Sequence, residues 1–135
     1  MPRVVTCLLE HEGKILLLRR SERVGTYRGL WGGVAGFVEE NEDPYEVAIK
    51  EIKEEVGIDE DDFRLIKQGN PVSFIDIYEG KEYDWTVFPF LFKIESKNKI
   101  KIDWEHSNYE WIVPSDIKNY ETVPRFKEIV LKFFK

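Results

Sequence analysis

At 135 residues, with 42% hydrophobic and 14% aromatic side chains, the chain is long enough to bury a core and too apolar to be disordered. A formal charge of −6 excludes the basic stripe by which proteins neutralise a nucleic-acid polymer, so no such polymer is expected as a partner. No apolar run approaches membrane-spanning length, and an acidic protein still reaches a phosphorylated small molecule when a divalent cation bridges the two.

Residues 4–9 and 14–19 are apolar runs joined by Glu10-His11-Glu12-Gly13, the pattern of a β-hairpin with His11 in its turn. Cys7 is the lone cysteine and cannot form an intramolecular disulfide. Set between Thr6 and Leu8, it reads as a buried structural thiol in a reducing, cytoplasmic setting. Met1-Pro2-Arg3 and the short apolar run behind it are too brief for a signal peptide. Residues 21–30 are polar, contain Gly25 and Gly29, and predict a mobile loop carrying Arg23 and Arg28, with Arg20 just before it. A short strand with a glycine pair follows at 31–35, then an acidic loop at 36–43.

The next helix has the clearest signals. Asp43 fits the N-cap, Pro44 the first helical position, Glu46 the reciprocal capping partner and Gly57 the left-handed stop. Tyr45, Ala48, Ile49, Ile52 and Val56 recur at helical spacing as its buried stripe. Strands are expected at 63–67, 72–78 and 83–94, the last with Pro89 at an edge or bulge because proline cannot donate to a ladder. A strand at 109–113, a small helix from 114 to 117 and an amphipathic helix at 123–134 complete one domain spanning 1–135. Strands before, between and after two main helices predict an α/β or α+β sandwich.

Within residues 36–58, GFVEENEDPYEVAIKEIKEEVGI, an advance of about 100° per residue places Glu51, Glu54 and Glu55 on one arc beside the apolar stripe. Taken alone, such a run reads as a solvated face, with Glu46–Lys50 as an i,i+4 pair. Crowded carboxylates also suit Mg²⁺, which prefers oxygen ligands and activates water.

The surrounding pattern favours the metal. The segment resembles the Nudix box, G-x5-E-x7-R-E-U-x-E-E-x-G-U with U bulky and apolar. Gly36, Glu42, Glu51, Ile52, Glu54, Glu55, Gly57 and Ile58 all match. By average residue usage this arises by chance on the order of once in ten million such chains. Lys50 departs from the usual Arg and lacks its planar fork. The resemblance implies a Nudix α/β/α sandwich with a mixed β-sheet between helices. It also implies metal-dependent hydrolysis of a pyrophosphate bond in a nucleoside diphosphate linked to another moiety, with Mg²⁺ (or Mn²⁺). Glu54 and Glu55 would be metal ligands, Glu51 a ligand or the base, and the Ala35 carbonyl a further ligand. Glu42 would pair with Lys50. Glu39 and Glu40 read as solvated.

Glu105 lies six residues before Trp111, where some Nudix triphosphatases carry a downstream metal-binding glutamate. Its neighbour His106 reads as exposed. Arg20 and Arg28 are candidate phosphate contacts, with surface solvation the bland reading. Trp31, and also Tyr27, Trp85 or Phe88, could stack a base, with core packing the alternative. Pro71, thirteen residues after Ile58, falls short of the ADP-ribose hydrolase spacing. The expected partner is a nucleotide-type small molecule, and a homodimer is compatible with the pattern. Two alternatives stand beside hydrolysis. One is a non-catalytic nucleotide-binding Nudix module, which usually lacks box glutamates. The other is an isopentenyl-diphosphate isomerase, which needs a reactive cysteine.

Overall fold

The computed structural model describes residues 2–96 and 99–135. β1 (Arg3–His11) and β2 (Lys14–Arg20) pair antiparallel only beside their turn, at Glu10 opposite Ile15 and His11 opposite Lys14. Beyond that point they diverge, and the returning chain fills the gap. β3 (Trp31–Gly32) pairs with β2, and β4 (Val34–Phe37) pairs with β1. The strand expected at 31–35 is therefore two short strands, and pairing to β1 carries Gly36 and Phe37 into the sheet rather than the acidic loop.

α1 (Pro44–Val56) follows at once, so the chain leaves the split in the sheet and packs across it. The Asp43 cap, the Pro44 start and the Gly57 stop are as expected: Asp43 Oδ2 accepts the Glu46 N–H at 3.3 Å, Pro44 opens the helix, and Gly57 closes it at φ 74°. The buried face is rotated from the expected stripe. Val47, Ala48, Ile52, Glu55 and Val56 are buried, while Tyr45 and Ile49 are only partly so. The reason lies far along the chain. The N–H groups of Lys101 and Asp103 donate to the carbonyls of Val56 and Glu55, so the 101–105 segment covers the Glu55 side of the helix end.

β5 (Phe63–Gln68) and β6 (Val72–Tyr78) both lie antiparallel to β7 (Lys81–Ile94), which runs parallel to β1 from Arg3 opposite Thr86 to Glu10 opposite Lys93. Pro89 sits in this interior strand where its partner passes from β5 to β6. Its carbonyl accepts the Gly69 N–H at 2.9 Å, so the missing donor falls at a break in the ladder. β8 (His106–Ile112) extends the other edge through β2. After a 3-10 turn at Pro114–Asn119, α2 (Phe126–Phe133) begins three residues later than expected. The Val123 N–H is held by the Trp31 carbonyl at 2.9 Å, and Arg125 is left-handed at φ 67°, so no helix forms there.

Alternation along the strands divides the core. Val5, Cys7 and Leu9 of β1, with Leu16 and Leu18 of β2, pack under α1. Leu8, Ile15, Leu17 and Leu91 pack under Phe126 and Val130 of α2. The helices thus cover opposite faces of a mixed sheet that is not a closed barrel. Burying a side chain such as Ile52 contributes about 1.5–3 kcal/mol to holding α1 on the sheet. Among the described residues no helix is long and apolar enough to cross a membrane.

Candidate active site

Glu51 and Glu55 are four residues apart on α1 and share a face. Glu105 joins them because its segment is fastened at two points. Asp103 caps the helix carbonyl as above, and the Glu105 carbonyl accepts the Ser21 N–H at 2.8 Å at the end of the β2–β8 pairing. One carboxylate oxygen from each of Glu51, Glu55 and Glu105 lies within 4.8 Å of the others. Glu54 is exposed and outside this group.

Glu55 is 1% exposed, which overturns the solvated-face reading for this residue. Its Oε1 accepts the Ala35 N–H at 3.3 Å, and its Oε2 has no hydrogen-bond partner among the described residues. Burial, then the Glu51 carboxyl and the charge of Glu105, push Glu55 well above the ordinary carboxylate range. Burial also raises Glu51. Burial, with Asp103 beside it, lifts Glu105 to about 7. An oxygen-only donor set, buried at Glu55 and half-buried at Glu51 and Glu105, with an unpartnered oxygen and mutual repulsion, fits a hard divalent cation such as Mg²⁺ or Mn²⁺.

These shifts have a signed consequence. A carboxylate raised above its unfolded value binds its proton more tightly in the folded chain, so its stabilising contribution is lost as pH rises through the folded value. The metal-free protein is therefore expected to lose melting temperature between about pH 5 and pH 8 as Glu105 and its neighbours ionise, with Mg²⁺ restoring part of it at the upper end. Calorimetry in EDTA and in Mg²⁺ checks this. Burial lowers His106, which adds stability as pH rises toward the ordinary histidine value and opposes the loss there. A Tm that is flat or rising in EDTA above about pH 6.5 would therefore mean the carboxylates ionise without penalty.

Other expected roles are redistributed. Glu42 Oε1 accepts the Glu39 N–H at 2.8 Å, and no ion pair joins it to Lys50 among the described residues. Lys50 acts instead on Glu51, opposing the effect of burial. Gly36 faces Glu51, and a Cβ at that position would overlap the Glu51 side chain. His106 is 7% exposed rather than solvated, with Nε2 3.7 Å from Glu55 Oε1 and Nδ1 3.3 Å from Asp103 Oδ1. His11 is in β1, not a turn, and its Nδ1 lies 3.0 Å from the Ile94 carbonyl. Cys7 is buried, and its thiol is pushed up by that burial.

A cavity of about 500 Å³ adjoins the carboxylates. Its lining joins Arg20, Ala35, Glu51 and Glu105 to aromatic walls from Tyr27, Phe74 and Trp85. Arg28 and Trp31 are not part of it. Arg28 pairs with Glu79 at 2.7 Å, and Trp31 packs edge-on against Tyr120 with centroids 5.5 Å apart. Phe88 is also absent from the lining and lies under the Arg3 guanidinium. The 21–30 loop, expected to be mobile, is anchored: Val24 and Tyr27 are buried, and Arg20 Nε donates to the Thr26 carbonyl at 2.9 Å. The sequence reading missed Phe37 and Trp104, which line the cavity at 63% and 55% exposure. Trp104, set among Asp103, Glu105, His106 and Ser107, carried a signal that could have found it, whereas Phe37, between Gly36 and Val38, carried none.

The model of the NUDIX domain family matches residues 1–133. The nucleoside triphosphatase NudI of Escherichia coli O139:H28 is 26% identical over 127 residues, covering 88% of this chain and 87% of NudI. The MutT protein of Methanosarcina mazei Go1 is similar in structure with a TM-score of 0.75 at 27% identity, covering 98% of this chain and 92% of that one. The dihydroneopterin triphosphate pyrophosphohydrolase of E. coli shares the fold with a TM-score of 0.80 at 22% identity, covering 97% and 93%.

Proposed function

Because the chain belongs to the Nudix family, we propose that it is a metal-dependent pyrophosphohydrolase acting on a nucleoside triphosphate or a related nucleoside diphosphate derivative. The observation that carries this reading is the buried, partly unpartnered carboxylate of Glu55 grouped with Glu51 and Glu105 beside an aromatic-walled cavity. A nucleoside ring suits the apolar walls, and the phosphates then face Arg20 and the carboxylates. The similarity to a nucleoside triphosphatase supports the triphosphate.

Glu51, Glu55 and Glu105 would hold Mg²⁺ or Mn²⁺, with the Ala35 carbonyl and a rotated Glu54 as further oxygen donors. When bound, the ion offsets phosphate charge and eases loss of a proton from water. Glu105 reaches the group from a segment separate from α1 and is placed to orient the attacking water. Arg20, half-buried and under the influence of Glu55 and Glu105, orients a phosphate oxygen. The buried Cys7 offers no nucleophile for an isomerase, and the intact box glutamates disfavour a non-catalytic module.

Nucleoside triphosphates, nucleotide sugars and dinucleoside polyphosphates, each supplied with Mg²⁺, form the test. Release of a nucleotide with pyrophosphate or a phosphorylated remainder is expected from at least one class, faster at pH 8 than at pH 6. Equal turnover after EDTA treatment would overturn the metal-dependent mechanism.

A further inference from the structure

We infer that Tyr27 is a positioning residue whose hydroxyl locks the aromatic wall and the cationic edge of the cavity into one unit, and so governs how tightly substrate is held. This rests on the reading of the cavity as the nucleotide site.

Tyr27 is buried, and its backbone is left-handed at φ 52°, a conformation that non-glycine residues hold only when their surroundings impose it. The imposing contacts are long-range. Its hydroxyl donates to Asp76 Oδ2 of β6 at 2.6 Å and accepts from Trp85 Nε1 of β7 at 3.1 Å. Its ring lies 4.7 Å from that of Tyr78. One phenol thus fixes the 21–30 loop to the β6–β7 hairpin and fixes the indole of Trp85, which lines the cavity.

The residue before it completes the link. The Thr26 carbonyl accepts Arg20 Nε at 2.9 Å, and the Thr26 hydroxyl lies 3.4 Å from Arg20 Nη2. Whatever sets the Tyr27 backbone therefore sets the acceptors that aim the Arg20 guanidinium. Removing the hydroxyl leaves the Asp76 carboxylate and the Trp85 N–H without their partner, and it frees the wall and the guanidinium together. The carboxylates of Glu51 and Glu55 are on α1, and Glu105 is held by Asp103 as well as by Ser21 at the strand end of the loop, so the carboxylate group keeps attachments that do not pass through Tyr27. The effect should fall on binding rather than on the chemical step.

Steady-state kinetics on the best substrate of the wild-type protein test this. Tyr27→Phe is expected to raise KM about five- to tenfold with kcat within about twofold. Asp76→Ala should reproduce that split, Asp76→Asn should restore near-wild-type KM because an amide oxygen still accepts the bond, and the Tyr27→Phe/Asp76→Ala double variant should be no worse than either single one. An unchanged KM in Tyr27→Phe, even with a lower Tm, would make the bond structural only and overturn the inference. So would a fall confined to kcat, additive effects in the double variant, or Asp76→Asn as impaired as Asp76→Ala. A wild-type protein that turns over no nucleotide would remove the hydrolase reading itself, whereas wild-type turnover with a flat Tyr27→Phe KM removes this inference alone.

Discussion

Replacing Glu55 with glutamine is expected to lower kcat by roughly two orders of magnitude or more, the scale on which several kcal/mol of charge stabilisation by a bound cation is lost. The amide can still accept the Ala35 N–H, so β4 keeps its attachment to α1. What disappears is a buried negative charge held beside Glu51 and Glu105. In EDTA the variant should melt no lower than the wild type, because repulsion among the three carboxylates is relieved. The rise in Tm on adding Mg²⁺ should shrink. Glu54→Gln should do less, since Glu54 is exposed and reaches the ion only by rotating inward. Calorimetry and single-turnover rates separate these outcomes. Full activity in Glu55→Gln would remove the cluster from the chemistry. A larger loss in Glu54→Gln would move the ion to the exposed side of the helix.

Gly36→Ala is the second large expected effect, and it works through a neighbour. Gly36 pairs with Val5 in the sheet, and the Glu51 side chain crosses the space where a Cβ would stand. The nearest carboxylate oxygen of Glu51 would be 2.9 Å from that Cβ, and the methylene and carboxyl carbons would overlap it. Backbone pairing holds β4 in place, so the side chain must yield. Glu51 then swings out of the carboxylate group. The expected result is a kcat reduced at least about tenfold with a modest change in Tm, since a displaced catalytic group is costly where a surface adjustment is not. Combining Gly36→Ala with Glu51→Gln should add little to either change alone. Wild-type kcat in Gly36→Ala would show that Glu51 can act from another rotamer. The same contact gives a physical reason for a glycine at position 36 of this chain.

The sequence by itself determined the parts of this protein that depend on neighbours within a few turns of chain. The Asp43 and Pro44 start, the Gly57 stop and the shared face of Glu51 and Glu55 follow from helical spacing and capping chemistry. The β1–β2 hairpin follows from its turn, and the box pattern led to the family that matches residues 1–133. Tertiary structure alone decided what depends on pairings between distant segments. Glu105 reaches the helix because 101–105 caps the carbonyls of α1 and meets Ser21, and the same approach buries His106 and rotates the buried face of α1 toward Glu55. The polar 21–30 loop is anchored because Tyr27 finds Asp76 and Trp85, partners 49 and 58 residues away. Arg28 and Trp31, between Arg20 and the box in sequence, are drawn away from the cavity by Glu79 and Tyr120. Short-range patterns carry propensity and spacing, but they hold no record of which distant backbone group satisfies an open carbonyl, and here that choice assembles the site.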